Sequence, residues 1–444
     1  MPTIEFNREF QSALDLINQT DENVFITGRA GTGKSTLLNH FRKTTPKKIV
    51  VLAPTGVAAV NVSGQTIHSF FGFKPDITVS KAGKMKMSGD ADIYKKLQTL
   101  VIDEISMVRA DLFDCVDIFL RRFGPRAYEP FGGVQMVLIG DLYQLPPVVP
   151  STEKDIFYAS YKSPYFFSAG VINPRAQLFE TGTPFKFRLI ELQKIYRQSD
   201  RDFVNILNAI RDNTATSDHI AVLNKRLDQK HESDPHDLVV YLMTTNAMAS
   251  TMNEAMLDKL NAKEFDFAAE VNGKFERNSY PTDERLRVKV GAQVMMQNND
   301  SGGRWINGTM GKIEKVIGNA KEGYVVYIKL TNDETVEVGP HRWDMYNFFY
   351  DGKTKSIESE TVGSFTQFPF RLAWAVTIHK AQGKTFDKMV LDIGSGTFAP
   401  GQLYVALSRV RTLGGLILKR PILPRHVWTD QSVMEFLGGL PTPC

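Results

Sequence analysis

The chain has few cysteines, no long apolar run and an almost balanced charge. Its two cysteines, Cys115 and Cys444, are too few for a disulfide framework or a four-ligand zinc site, which favours a reducing compartment. The first residues, Met1 to Phe6, lack the basic and apolar regions of a secretory signal peptide. No apolar run is long enough to span a bilayer. These absences predict a cytoplasmic protein with no membrane partner.

The charge balance leaves nucleic acid open as a partner without arguing for it. The net charge is only +4, from 53 Lys and Arg against 49 Asp and Glu. A nucleic-acid footprint depends on how charges cluster rather than on their total. The 444 residues are 42% hydrophobic, a globular composition with room for about two to four domains.

Short apolar strands alternate with helical patterns, which predicts α/β domains. The first set of strands is predicted at 24–27, 49–53, 100–104 and 136–141. Continuous apolar strands of this kind indicate a parallel sheet covered on both faces. A second set is predicted at 238–243, 389–393 and 416–418. Between the first two strands of this second set, the block from about Leu286 to Thr361 has short alternating strands and turns, which predict an inserted antiparallel barrel.

The segment Gly28 to Ser35 fits the pattern G-x-x-x-x-G-K-[ST] of a phosphate-binding loop in full. Glycines let backbone N–H groups approach the phosphates, and the next helix directs its N-terminus at them. Lys34 would reach the β- and γ-phosphates, and the Ser35 hydroxyl would ligate magnesium. The pattern arises by chance in roughly one or two chains per hundred of this length. It predicts that the protein binds and hydrolyses ATP.

Two further segments follow apolar strands, where parallel sheets place their ligands. Asp103 would hold magnesium and Glu104 would polarise the attacking water. Alone, such a pair is usually a solvated strand end, but the upstream phosphate loop favours the functional interpretation. Gln144 could sense the γ-phosphate or position water, and the alternative is a turn set by Gly-Asp and Pro-Pro.

An ordered series of motifs then resembles one family. The motifs are GRAGTGKST, APTGVAAVN, GQTIHSF, VIDEISMV, GDLYQLPPV, YRQ, TIHKAQGKT and YVALSRV. The chain resembles the superfamily-one helicases of the 5′-to-3′ branch, and within it the Pif-type (petite integration frequency) helicases, near RecD-like and Dda-like helicases. The resemblance runs from about Phe6 to Gly415. The segment from Ser106 to Gln135 resembles the signature that sets the Pif type apart.

The resemblance implies two RecA-like parallel-sheet domains of the P-loop type with two inserted accessory domains, the second an SH3-like antiparallel β-barrel. The predicted boundaries are 1–71 and 97–195 for the first RecA-like domain, 72–96 for the first accessory insertion, 196–260 and 362–444 for the second RecA-like domain, and 261–361 for the second accessory domain. The insertion holds six lysines and little periodicity. It is either a strand-separating wedge or a solvated loop, and both interpretations stay open.

The resemblance also assigns roles to single residues. Arg197 and Arg409 would be arginine fingers from the two sides of the nucleotide cleft, since a guanidinium stabilises the charge of the transition state. Gln144, Gln382 and Gly383 would sense the γ-phosphate. The catalytic set is then Lys34, Glu104, Gln144, Arg197 and Arg409, with Ser35 and Asp103 for Mg²⁺. The remaining nucleotide-binding residues are Gly28, Ala30, Gly31, Thr32, Gly33 and Thr36, besides Gln11.

Gln11 marks a departure from the family pattern. The family has a glutamine that reads adenine, and Phe10 stands at that position here. Gln11 comes one place later. On a helix, a shift of one residue rotates a side chain by about 100°. The same stretch could instead be an amphipathic helix with Phe6 and Phe10 packed inward.

The family places single-stranded DNA across both α/β domains. The implied contacts are Pro54, Thr55, Gly56, Thr66, His68 and Ser69 in the first domain, and Thr377, His379 and Lys380 in the second. Hydroxyls and backbone N–H groups suit phosphate contacts that carry no sequence information. The histidines could instead be core residues, and the phenylalanines at 70, 71 and 73 are expected in the core rather than as base platforms.

The resulting hypothesis is an ATP-dependent 5′-to-3′ DNA helicase, nucleoid-associated if bacterial, acting on single-stranded and tailed duplex DNA. G-quadruplex DNA and RNA–DNA hybrids are further substrates that the family implies, with roles in repair, recombination, replication and telomere-type maintenance. A monomer is expected, with a DNA-induced dimer left open. The alternatives are an ATP-switched single-stranded nucleic-acid binding module without unwinding, and an RNA-directed relative.

Overall fold

The computed structural model describes residues 7–86, 92–173, 185–198, 200–231, 238–319, 322–394, 396–397 and 399–440. Phe6, Cys444 and the middle of the lysine-rich segment, 87–91, lie outside the described residues. The chain divides into two compact units. Unit 1 comprises Met1–Tyr196, Met345–Val362 and Gln431–Cys444, and unit 2 comprises Arg197–Asp344 and Gly363–Asp430.

Unit 1 is built on a parallel sheet. Its strands are β1 (Val24–Gly28), β2 (Ile49–Ala53), β3 (Gln65–Thr66), β4 (Thr99–Ile102), β5 (Gln135–Ile139) and β6 (Arg188–Leu192). Its helices before β6 are α1 (Arg8–Gln19), α2 (Lys34–Thr44), α3 (Gly56–Asn61), α4 (Ile67–Phe71), α5 (Val79–Lys84), α6 (Asp92–Lys96), α7 (Ala110–Phe123) and α8 (Lys154–Ser160). The strand order is β3-β2-β4-β5-β1-β6, so the loops that follow β4, β5 and β1 are neighbours.

Both faces of this sheet are buried, as the continuous apolar strands predict. Along β1, Phe25 packs into an aromatic cluster on one face, while Val24 and Ile26 pack into the cluster that α1 and α2 cover. Side chains alternate between the two faces of a strand, so a strand buried on both faces must be apolar throughout.

Unit 2 combines a parallel sheet with antiparallel sheets. Its strands are β7 (Val240–Met243), β8 (Glu264–Ala268), β9 (Glu270–Gly273), β10 (Arg285–Lys289), β11 (Gln293–Met296), β12 (Met310–Asn319), β13 (Gly323–Leu330), β14 (Thr335–Val338), β15 (His341–Asp351), β16 (Ser356–Gln367), β17 (Phe370–Leu372), β18 (Ala375–Thr377), β19 (Met389–Asp392) and β20 (Leu416–Leu418). Its helices are α9 (Arg201–Arg211), α10 (Ser217–Asn224), α11 (Asn246–Asp258) and α12 (Gln402–Leu407).

The parallel sheet of unit 2 has the order β18-β7-β19-β20, and a five-stranded antiparallel sheet has the order β14-β13-β12-β11-β17. The antiparallel sheet encloses its own core, which includes Val294, Trp305 and Ile328. The predicted fold class, a parallel-sheet α/β core with inserted antiparallel structure, is therefore confirmed. The SH3-like description of the insertion stays a prediction.

Two segments belong to unit 1 although the predicted boundaries place them elsewhere. The first is residues 345–362, which hold the end of β15 and the start of β16. The second is helix α13 (Gln431–Gly438). Phe436 of α13 stacks on Phe167 with ring centroids 4.2 Å apart, and Tyr350 packs against the aromatic core. Burial of these aromatic side chains decides where the segments pack, and sequence order does not reveal it.

The described part of the lysine-rich segment, 72–96, is partly helical and is not a loop along its whole length. It contains helices α5 and α6, and Ala82, Ile93 and Tyr94 are buried in the aromatic core of unit 1. The Tyr94 hydroxyl donates to the Phe70 carbonyl oxygen (2.7 Å). Its six lysines are exposed, and the three phenylalanines at 70, 71 and 73 are buried as predicted. Among the described residues, no helix has the length and apolar content needed to cross a membrane.

Candidate nucleotide and nucleic-acid sites

The phosphate loop joins β1 to α2. Gly28 and Gly33 have φ of 153° and 91°, which L side chains rarely adopt. A Cβ at Gly28 would lie 2.6 Å from the Leu192 carbonyl oxygen, so a larger residue does not fit. The Lys34 ammonium donates to the carbonyl oxygens of Gly28 (2.6 Å) and Arg29 (3.0 Å). The same turn carries the predicted residues Ala30, Gly31 and Thr32, and the first turn of α2 carries Ser35 and Thr36.

The two predicted acidic residues follow β4 directly. Burial raises the pKa of Asp103 to about 6, against the opposing effects of the Glu104 backbone N–H and the nearby Lys34 charge. Because the charge of Lys34 acts on the Asp103 carboxyl, Asp103 and the phosphate loop belong to one site. Glu104 has φ 51° and ψ 43°, a left-handed conformation that costs a non-glycine residue of order 1–3 kcal/mol. Such strain is found most often at functional positions.

Gln144 lies in the turn after β5, the strand between β4 and β1. Its side chain is buried, and its amide donates to Asp141 Oδ2 (3.1 Å). The Gln144 backbone N–H also donates to the Asp141 carbonyl oxygen (3.0 Å). The turn interpretation therefore applies, and the Asp141 turn fixes Gln144 at the edge of the sheet that carries the phosphate loop. The role of Gln144 toward the γ-phosphate stays a prediction.

The chemistry of this edge suits magnesium. The Ser35 hydroxyl at the start of α2 and the Asp103 carboxylate supply hard oxygen ligands. Mg²⁺ in phosphate-binding enzymes is held by one or two such groups together with substrate phosphates. In the described ranges, no group of three or more His, Cys, Asp or Glu could hold a metal ion. Ser35 and Asp103 fit a magnesium ion that substrate phosphates also bind.

Helix α1 places Phe10 and Gln11 on different sides. Phe10 is buried in the apolar core, as the amphipathic alternative predicts. Gln11 is exposed, and its amide donates to Asp15 Oδ1 (2.9 Å) one turn along the helix. The interaction with Asp15 occupies one end of the Gln11 side chain, and adenine recognition by Gln11 stays a prediction.

Tyr196 is a residue whose position the sequence did not reveal. Its backbone N–H donates to the Gly31 carbonyl oxygen (2.9 Å). Its ring comes within 4.0 Å of the position that a Cβ would take at Gly33, and the residue is 48% exposed. An exposed aromatic ring beside a phosphate loop is suited to stacking on a nucleotide base. The motif Tyr-Arg-Gln contains this tyrosine, although the family resemblance assigns a role only to the arginine.

Arg197 and Arg409 are expected on the two sides of the nucleotide cleft, but the structure places both in unit 2 and brings their segments together although they are far apart in sequence. Arg197 donates to the carbonyl oxygens of Ser408 (3.4 Å) and Gly383 (3.2 Å). The Gln198 amide donates to the Ser408 carbonyl oxygen as well (3.0 Å). Arg409 is 1% exposed, and its guanidinium lies 3.5 Å from the Lys384 carbonyl oxygen. The loop that holds Gln382 and Gly383 therefore contacts both arginines.

Lys384 anchors this loop, and the sequence did not single it out. Its ammonium is buried and donates to Asn307 Oδ1 (2.7 Å) and Gln297 Oε1 (3.3 Å), both from the antiparallel region of unit 2. Gly308 has φ 97°, and a Cβ there would lie 3.2 Å from the Lys384 Cβ. One side chain thus joins the turn around Asn307 to the loop that contacts Arg197 and Arg409.

We expect Lys384→Met to lower the kcat of ATP hydrolysis roughly tenfold to a hundredfold, because small displacements of catalytic groups have effects of this size. Burial also lowers the pKa of Lys384 to about 7. Between pH 7 and the usual lysine pKa, the unfolded wild type therefore binds more protons than the folded wild type. The free energy of unfolding of the wild type should then rise with pH relative to that of Lys384→Met. Steady-state kinetics and thermal unfolding at pH 7 and 9 measure both effects. The exposed Lys388 provides the control variant Lys388→Met, and wild-type kcat in Lys384→Met would contradict the anchoring role.

The first half of the predicted nucleic-acid track lies at one edge of the sheet in unit 1. Strands β2 and β3 pair in parallel, with Ala53 opposite Thr66, so the loops that follow them are adjacent. Thr55 and Thr66 cap helices α3 and α4, where their hydroxyls accept from backbone N–H groups. Ser69 Oγ accepts from the Gln65 amide (2.8 Å). This edge brings together the predicted residues Pro54, Thr55, Gly56, Thr66, His68 and Ser69.

The second half lies at the end of β18 in unit 2. Thr377 is buried, and its hydroxyl accepts from the Lys380 backbone N–H (3.3 Å). His379 and Lys380 are exposed on this turn. Exposure excludes the core alternative for His379. The lysine is thus available to a phosphate group from solution.

The chain is similar to known helicases over nearly its whole length. The model of the PIF1-like helicase family matches residues 5–220. The ATP-dependent DNA helicase Pif1 of Bdellovibrio bacteriovorus is 31% identical, over 98% of this chain and 92% of that protein. The crystal structure of Bacteroides sp Pif1 in complex with ADP-AlF4 is 36% identical with a TM-score of 0.86, over 98% and 97% of the two chains. A Bacteroides Pif1 structure with ADP-AlF3 and ssDNA is 36% identical with a TM-score of 0.68, over the same shares.

Proposed function

The chain belongs to the PIF1-like helicase family, and we propose that it moves along single-stranded DNA in the 5′-to-3′ direction and separates the duplex ahead of it. As a member of this family it is an ATP-dependent DNA helicase. Tailed duplexes, RNA–DNA hybrids and G-quadruplex DNA are its proposed substrates. The antiparallel sheet of unit 2 is proposed to be an SH3-like accessory domain, and segment 72–96 to assist strand separation.

One observation carries the chemical part of the proposal. The phosphate loop, the pair Asp103 and Glu104, and Gln144 follow three neighbouring strands of one parallel sheet. We propose that Lys34 neutralises the β- and γ-phosphates and that the Glu104 carboxylate accepts the proton of the attacking water. Gln144 would orient this water. An Mg²⁺ ion held by Ser35 and Asp103 would supply charge neutralisation at the phosphate oxygens.

The arginines of unit 2 complete the proposed chemistry. Arg197 and Arg409 would stabilise the negative charge that spreads over the transferring phosphoryl group. Gln382 and Gly383, in the loop that contacts both arginines, would respond to the γ-phosphate. Because that loop follows the Thr377 and Lys380 turn in the chain, nucleotide state and strand contacts would be coupled within one short segment.

The experiment that tests the direction compares duplexes with a 5′ single-stranded tail, a 3′ tail or no tail. We expect ATP-dependent strand separation of the 5′-tailed duplex and little of the other two. The Glu104→Gln variant controls for unwinding by binding alone. Preference for the 3′ tail would contradict the direction, while strand binding without unwinding on any tail would favour the ATP-switched binding module.

A further inference from the structure

Gln198 directly follows the predicted finger Arg197, and the family resemblance assigns no role to it. Its side chain is 8% exposed. Its amide nitrogen donates to the carbonyl oxygens of Ser408 (3.0 Å) and Val410 (3.3 Å), which lie 210 and 212 residues further along the chain. An amide group has two N–H donors, so each carbonyl oxygen can receive one of them. The two acceptors come from the residues on either side of Arg409.

The backbone of this turn needs such donors because it leaves the end of helix α12 inside the core. The last carbonyl oxygens of a helix have no partner within the helix. Ser408, Arg409 and Val410 are each at most 1% exposed, and buried carbonyl groups almost always have a donor. The Arg409 carbonyl oxygen accepts from the Phe386 backbone N–H (2.8 Å). The Gln198 amide serves the carbonyl groups before and after it, and therefore holds the backbone on both sides of Arg409.

Ser408 extends this restraint from the backbone to the Arg409 side chain. Its hydroxyl donates to the Val405 carbonyl oxygen (2.9 Å) and accepts from Arg409 Nη2 (2.6 Å) and Nε (3.2 Å). Ser408 is thus held at its carbonyl group by Gln198, and it holds the guanidinium with its hydroxyl. Because a guanidinium is planar and rigid, fixing two of its nitrogens also fixes the direction of its remaining N–H groups.

We propose that Gln198 is a positioning residue for Arg409, which it holds where the guanidinium meets the charge of the transferring phosphoryl group. Gln198 acts through the backbone of Ser408 and Val410 and not on the substrate. The inference rests on the proposed function, because it requires Arg409 to act as an arginine finger. A charged group that is already in place stabilises developing charge without reorganisation, and a displacement of about 1 Å costs up to about a hundredfold in rate.

Steady-state ATP hydrolysis in the presence of oligo(dT) tests this role. Gln198→Met keeps the length of the side chain and removes both N–H donors. We expect its kcat to fall roughly tenfold to a hundredfold. Its KM for ATP should stay within about twofold of the wild type, because the finger acts mainly in the transition state. Binding of ADP with aluminium fluoride, which imitates the transferring phosphoryl group, should weaken by the same factor as kcat, while binding of ADP alone should not change.

Gln293→Met is the matched control for lost stability. Gln293 is 5% exposed, and its amide also donates to two backbone carbonyl oxygens of unit 2, those of Val239 (2.7 Å) and Ala373 (2.9 Å). None of these three residues belongs to the predicted sites. Because both variants lose the same kind of buried hydrogen bonds, thermal unfolding should show a similar loss of stability in Gln293→Met and Gln198→Met. Only Gln198→Met should lose kcat.

A double-mutant cycle with Arg409→Ala separates positioning of the finger from an independent effect. If Gln198 acts through Arg409, Gln198→Met should reduce kcat no further once the guanidinium is gone. The double variant should then have the kcat of Arg409→Ala. Gln198→Asn keeps the amide but withdraws it by one methylene, and it should show the same pattern with a smaller loss of stability.

Wild-type kcat in both Gln198 variants, or a full further loss of kcat in the double variant, would overturn the positioning role and leave the proposed function standing. A loss of kcat in Gln293→Met equal to that in Gln198→Met would assign the effect to lost stability and overturn the positioning role as well. Wild-type kcat in Arg409→Ala would instead refute the finger role within the proposed function, and the positioning role with it.

Discussion

Replacement of Arg409 by alanine is expected to lower the kcat of DNA-stimulated ATP hydrolysis about 10³- to 10⁵-fold, the range found when an arginine finger is lost. The side chain is held rigidly at the end of α12. Its Nε donates to the Val405 carbonyl oxygen (2.9 Å) and its Nη2 to Ser408 Oγ (2.6 Å). A preorganised guanidinium in a buried setting stabilises developing charge without further reorganisation. The KM for ATP should change far less than kcat, because this charge is greatest in the transition state.

Loss of a buried side chain also threatens the fold, so the prediction needs variants that separate the two effects. Arg409→Lys keeps the charge and most of the volume but loses the planar fork, and its kcat should still fall strongly. Arg411→Ala removes an arginine two residues along that is 58% exposed and paired with Asp387 (3.0 Å), and it should behave as the wild type. Equal kcat in Arg409→Lys and the wild type, with both proteins folded by thermal unfolding, would exclude the finger role.

The parts of this protein that the sequence predicts are those encoded locally. Strands 49–53 and 416–418 match the predicted bounds because each is an apolar run with clear ends. The phosphate loop is predictable because its glycines and Lys34 are consecutive. The strand predicted at 100–104 instead ends at Ile102, since the left-handed conformation of Glu104 turns the chain away from the sheet. The predicted strand therefore extends past the end of the observed strand β4, because the local apolar pattern does not show the turn.

The parts that the sequence does not predict depend on partners far along the chain. Lys384 and Asn307 are 77 residues apart and meet through one hydrogen bond. Arg371 and Pro281 are 90 residues apart and meet through another. Neither lysine nor arginine shows in its local pattern whether it is buried, and an isolated cation is usually exposed. Only the fold reveals that these two positions hold buried charge beside the predicted strand and nucleotide loops.

Glu104→Gln is expected to abolish most ATP turnover, with kcat lower by about 10²- to 10⁴-fold, the usual contribution of general base catalysis. The substitution keeps the size of the side chain and removes its ability to accept a proton. Binding of ATP and of single-stranded DNA should persist, because the phosphate loop and the track residues are unchanged. Steady-state kinetics and separate binding titrations measure the two expectations.

The backbone of Glu104 makes this prediction sharper than an ordinary carboxylate substitution. Glutamine can take the same left-handed conformation at the same cost as glutamate, so thermal stability should not change. Glu104→Asp keeps the carboxylate but withdraws it by one methylene, and its kcat should also fall because the base must reach the water within hydrogen-bond distance. Normal hydrolysis by Glu104→Gln would show that another group activates the water. The strain at Glu104 would then serve only to direct the chain away from β4.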